Sequence, residues 1–160
     1  MQIRIKETGA VVFESELRGL YPNTSGPLDD MYDVVFEGPQ ATGGTVYQYS
    51  QAAGVEQIEG KWYTKYILGP VFADRAAEGD QPAQTAAEQE AAYKATKDAE
   101  QAKSVRATRD SKLAESDWRV IKAVEMSTAV PIEWAAHRQA LRDITSQAGF
   151  PWTITWPDAV

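Results

Sequence analysis

The chain's one histidine, His137, is its first candidate for catalysis. A general base of this kind needs an orienting partner and a nucleophile or water beside it. No Ser or Asp pattern around His137 supplies them. Its place on an apolar stripe with Trp134 and Leu141 predicts a packed, structural histidine. Gly43-Gly44-Thr45 has the glycines of a phosphate-cradling loop but lacks the Lys that must follow them, and it leads into a strand, so it reads as a turn. Asp29, Asp30 and Asp33 offer the oxygen ligands a hard cation takes. Their spacing is not that of an EF-hand, no closing Glu follows, and a plain acidic loop is expected. Cysteine is absent, which excludes disulfides, thiol catalysis and the common zinc sites. A hydrolase of cell-wall polymer would need two carboxylates facing one cleft, and nothing singles out such a pair. The expectation is a non-enzymatic protein with no cofactor and no metal.

The residues past Arg106 suit recognition better than catalysis. Four of the five Trp fall there: Trp118, Trp134, Trp152 and Trp156. Trp buries a large rigid surface at low entropic cost, so a short segment with four of them must cluster them or present them to a partner. Arg109, Arg138 and Arg142 accompany Asp110, Asp117 and Asp143, and Arg forks match carboxylates in bidentate geometry. These pairs are expected to fix two helices against each other. Asp117 has two further uses, as a turn cap or as an acceptor for an indole N–H. Partner-binding candidates are Trp118, Trp134, Arg138, Arg142, Phe150, Trp152 and Trp156. For the Trp-Pro tail two readings stay open: a strap that completes a small core, and an aromatic surface that docks on a partner.

The elements that must position these residues divide by composition. Residues 1–74 are rich in β-formers and Gly. Ile3 and Ile5 alternate with Arg4 and Lys6, and Thr8-Gly9 turns the chain into Val11-Val12-Phe13. Residues 19–33 read as an irregular loop. Strands are expected over 33–37, over 45–51 with a continuation at 55–58, and over 61–68, where Gly69-Pro70 stops the chain. Together they predict an antiparallel β-meander. Residues 75–112 form an Ala-rich helical connector, and from Ala83 to Val130 there is neither Gly nor Pro. Ala92, Ala95, Ala99 and Ala102 make a narrow stripe. This connector reads as a solvated spacer, as a helix lying on its own domain or on a second copy, or as partly disordered across 76–84. Residues 113–160 hold a helical hairpin. Leu113, Trp118, Val120, Ile121 and Val124 are expected to form its packing face, with a break near Ser127-Thr128. Pro131 opens a second helix carrying Trp134, His137, Leu141 and Ile144. Gly149 and Pro151 end it, and Trp152, Ile154 and Trp156 alternate along an extended tail. The fold class is therefore α+β.

Net charge is −7 with basic residues scattered among acids, which speaks against a phosphate-binding surface and so against nucleic acid. No apolar run approaches the roughly 20 residues of a membrane span, and the start reads as a strand, not a signal peptide.

Arg106, Arg109-Asp110, Leu113-Ala114, Ser116-Asp117-Trp118, Trp134, the run Arg138-Gln139-Ala140-Leu141-Arg142-Asp143-Ile144, Gly149-Phe150-Pro151-Trp152 and Trp156-Pro157 follow one another in an order that resembles the C-terminal module of bacteriophage tail-fibre and tail assembly chaperones. His137 departs from the Tyr that such sequences often carry there, and residues 119–131 are more helical than in short members. Asn23-Thr24-Ser25 and Phe36-Glu37-Gly38-Pro39-Gln40 resemble the leading region of phage proteins with this module. The resemblance implies a chaperone that binds a homotrimeric tail fibre at its distal tip and helps it fold or trimerise in the host cytoplasm. It equally allows a structural protein retained on the mature fibre or baseplate. Self-association through the Ala-rich helix is a further expectation.

Overall fold

The computed structural model describes residues 1–22 and 29–160. Asn23-Thr24-Ser25 lies outside the described residues, as does the side chain of Asp29. The chain forms two compact units, Met1–Val71 and Phe72–Val160. Among the described residues no helix is long and apolar enough to cross a membrane.

The first unit is a five-stranded sheet of β1 (Gln2–Ile5), β2 (Val11–Phe13), β3 (Tyr32–Phe36), β4 (Tyr49–Ile58) and β5 (Lys61–Gly69), in the order β2-β1-β3-β5-β4. Gly9, at φ +72°, closes the first hairpin as the Thr8-Gly9 signal predicts. A seven-residue helix, α1 (Glu14–Leu20), follows β2 without a break. The sequence reading missed it, because seven residues hold only one apolar anchor in register. That anchor, Leu17, is fully buried with Ile3, and Ile5, Val12, Met31 and Tyr32 pack around them. Each of the two buried side chains contributes about 2–3 kcal/mol by leaving water. The Glu16 carboxylate accepts the Phe13 N–H at 2.8 Å and anchors the helix start.

The sheet corrects the antiparallel meander in two pairings: β3 lies beside β1 and not β2, and β3 and β5 run parallel, with Val35 opposite Trp62. Glu59 and Gly60, both at positive φ, close a tight β4–β5 hairpin, so only one of its strands can join β3. Apolar and aromatic side chains on both faces of β5, from Trp62 to Leu68, suit the interior position. Gln51, Gly54, Glu56 and Gln57 suit β4 to the edge, where a bulge between Ala52 and Val55 bends it. The expected start of β4 at Thr45 is a turn instead, in which the Gln48 side chain accepts the Thr45 N–H at 3.1 Å.

In the second unit Arg75 and Gln84 pair across a short turn that leads into the 40-residue helix α2 (Ala86–Glu125). Thr85 caps it: its hydroxyl accepts the Glu88 N–H at 3.2 Å, and Glu88 returns a carboxylate to the Thr85 N–H at 2.8 Å. Those bonds hold the Glu88 carboxyl below its ordinary range. Ser127, at φ +52°, breaks the chain after α2, and α3 (Ile132–Arg142) returns with Pro131 at its cap. A 3-10 turn over Asp143–Ser146 completes the hairpin.

The packing face of α2 differs from the expected one. Ala102, Val105, Ser116 and Ala123 are buried, whereas Trp118, Ile121 and Val124 are 51%, 57% and 72% exposed. Small side chains let α3 approach closely, and its Leu141, with Ile144 of the following 3-10 turn, is fully buried. Ala92, Ala95 and Ala99 face outward, and only Ala102 of that stripe is covered.

Candidate functional site

Arg138 holds the two helices of the hairpin together. It is nine-tenths buried, and one terminal nitrogen donates to the Leu113 carbonyl at 2.8 Å and to the Ser116 hydroxyl at 2.5 Å. The other meets the Asp117 carboxylate at 2.7 Å. Ser116 is small enough to sit beneath the guanidinium, and its own hydroxyl donates to the Leu113 carbonyl. Of the three expected Arg–Asp pairs, this one joins the helices. Arg109 pairs with its neighbour Asp110 on α2 at 2.7 Å. Arg142 donates to the Gln139 side chain, and Gln139 in turn donates to Asp143.

The tail returns along α2. Trp152, Ile154 and Trp156 are half-buried and Thr153 and Thr155 exposed, the alternation expected of an extended segment. Trp152 donates its indole N–H to Asp98 at 2.5 Å. Asp98 thus takes the place of Asp117 as an indole acceptor, and among the described residues Asp117 is engaged by Arg138. The Phe150 ring lies 5.4 Å from the Arg106 guanidinium, and Lys112 lies 5.7 Å from the Trp156 ring. Gln147 fastens the strap by exchanging two bonds with the Thr155 backbone. At Gly149 a Cβ would stand 2.4 Å from the Thr153 carbonyl oxygen, so the turn admits no side chain.

Near the bend of the hairpin the surface changes character. Arg119 lies over two indoles, 4.5 Å from the Trp118 ring and 3.8 Å from that of Trp134. Such stacking holds the cation in place while leaving its N–H groups available. The Trp134 ring also meets His137 edge-on at 5.7 Å, and His137 Nδ1 is buried without a hydrogen-bond partner. Two depressions flank the Trp118–Arg119 ridge. One, of about 170 Å³, is lined by Lys122, Ala123, Met126 and Pro131; the other, of about 220 Å³, by Lys112, Glu115, Trp134 and His137.

Residues 102–159 match the family model for the phage tail assembly chaperone protein. This C-terminal module is similar to the phage tail assembly chaperone family, over little more than a third of the chain. The match takes in the Arg138 clamp, the Trp118–Arg119–Trp134 stack and the strap, while residues 1–101 lie outside it. No curated protein and no solved structure matches the chain.

Within residues 102–159 the seven predicted partner-binding residues separate into two groups. Trp118, Trp134, Phe150, Trp152 and Trp156 each keep part of their surface open, and Trp118 most of all. Arg138 is committed to the hairpin interior, and Arg142 lies apart from the aromatic stack on its Gln139 contact. Sequence reasoning missed the half-buried Arg119, and it assigned to the packing face Ile121 and Val124, which the fold leaves at the surface with Met126 and Ile132. The available signal was the recurrence of small residues at Ala102, Ser116 and Ala123, spaced by multiples of seven. It marks a close-packed seam and turns the larger residues outward.

Of the earlier candidates, Asp33 takes Arg4 at 3.5 Å and Lys6 at 4.0 Å. Lys6 also donates to the Asp30 backbone carbonyl.

Proposed function

We propose that this protein is a tail-fibre assembly chaperone, non-enzymatic, whose C-terminal module binds the fibre in the host cytoplasm and helps it fold or trimerise, at its distal tip. The observation that carries the reading is the family match across a module whose surface keeps Trp118 half exposed beside a stacked, available Arg119. Aromatic anchors with Arg at their edge are what interface centres favour. Fibre tips are β-rich intertwined trimers that form slowly through non-local pairing, so covering their exposed edges during assembly requires binding energy alone. Affinity capture of the fibre by the full chain tests this. Trp118→Ala is expected to weaken capture by at least about tenfold, and unaltered capture would remove Trp118 from the interface.

A second reading is favoured by α2, whose 40 residues extend about 60 Å. A transient binder has no need of such a spacer, whereas a structural protein retained on the mature fibre or baseplate does. Stoichiometric copies in purified particles would establish that role. Self-association through Ala92, Ala95 and Ala99 is a further proposal, and sedimentation of an Ala95→Glu variant against the parent chain tests it.

A further inference from the structure

Lys112, Arg119 and Lys122 all line the two depressions that share the Trp118–Arg119 ridge. Among the described residues, none of the three has a carboxylate within ion-pair distance, whereas Arg109 and Arg138 on the same module do. Residues 102–159 hold eight Lys and Arg against seven Asp and Glu, in a chain of net charge −7. The chain's excess of negative charge thus lies outside this module, and the two depressions are walled by indole, thioether and proline carbon, with Glu115 the one carboxylate side chain among the described residues that line them.

We infer that these paired depressions bind a short acidic segment of the client tail protein, with an apolar side chain lodged beside Trp118 and Met126 and carboxylates on Arg119, Lys122 and Lys112. The inference rests on the chaperone reading and specifies the chemistry of its client. Charge complementarity carries it. A carboxylate reaching Arg119 finds a guanidinium already oriented by two rings, so little rotamer freedom remains to be lost. The apolar walls supply the anchor site, and the cations set register and encounter rate. Nucleic acid fits less well: three cations neutralise few phosphates, and the rest of the chain repels a polyanion.

The test is an array of overlapping short peptides covering the tail proteins encoded beside this chain, probed with the full-length protein and with an R119E/K122E variant whose fold is checked by circular dichroism. Bound peptides are expected to carry Asp or Glu next to Leu, Ile, Phe, Trp or Met. The variant should lose about tenfold or more in affinity, Arg119→Lys should fall between, and binding should weaken with salt. Basic or uncharged peptides bound as well as acidic ones, or no loss in the variant, would overturn the proposal. So would displacement of the bound peptide by an equal concentration of single-stranded oligonucleotide, or a dimer that only the double substitution dissociates. A parallel capture of intact tail proteins separates the two levels. If the parent and the variant capture the same tail protein equally, this surface is wrong and the chaperone reading stands. If the parent captures none, both fail.

Discussion

Arg138 reaches three acceptors on α2 from a position only 9% exposed. Truncating it strands the Leu113 carbonyl and the Ser116 hydroxyl inside a packed seam. Arg138→Ala is therefore expected to destabilise the second unit by about 2 kcal/mol, read as a lower urea midpoint of tryptophan fluorescence. Lys cannot span the same acceptors with one ammonium, so Arg138→Lys should recover less than half of the loss. Asp117 is more than half exposed, and Asp117→Ala should cost under about 1 kcal/mol in the same assay. An Arg–Asp fastener for the hairpin was legible in the sequence, though not that Arg138 and Asp117 form it. The partners Leu113 and Ser116 were not, because they depend on how α2 is rotated about its axis. Arg119 was illegible for a related reason: its two indoles, Trp118 on α2 and Trp134 on α3, stand 16 residues apart in the chain, and only the folded hairpin brings them to one cation.

The helices and the strap are each stabilised at recognisable points. Glu88 accepts the Thr85 N–H, and its folded-state pKa lies below the ordinary value of 4.5. A depressed carboxylate pKa means the cap's contribution is complete above the ordinary value and is lost as pH falls through the lowered one. The protection of the amides at residues 86–89, taken relative to their intrinsic exchange rate at each pH, should accordingly fall on acidification below about pH 4.5. Glu88→Gln should show a flat response over that range, and a parent chain as flat as the variant would remove Glu88 as the cause. In the strap, Gly149→Ala would press a methyl against the Thr153 carbonyl and should cost about 1–3 kcal/mol, seen as a lower thermal midpoint. Elements with strong local signals were legible: the Thr8-Gly9 hairpin, the start of α3 at Pro131, and the alternating tail. The outward turn of Trp118, Ile121 and Val124 was not. Apolar arcs on a helix ordinarily pack inward, and here the seam is set by Ala and Ser. α1 escaped because its one buried anchor, Leu17, takes its meaning from Ile3, two strands away in the chain.

At the scale of the whole molecule, the α+β class followed from the change of composition along the chain. The parallel β3–β5 pairing did not, because strand order is decided by which strand tolerates burial on both faces and not by sequence adjacency. The chaperone account asks of this molecule an acidic chain that presents a small cationic and aromatic surface on one module. The fold supplies that surface by turning Ala102, Ser116 and Ala123 of α2 inward and leaving Trp118, Ile121 and Val124 outside. Co-expression with the tail fibre tests the account most directly, followed by affinity capture and mass measurement of the complex. The account predicts that soluble trimeric fibre appears only when this chain is present and that the fibre carries it. Fibre that reaches the soluble trimer equally well alone, and never binds this chain, would contradict it.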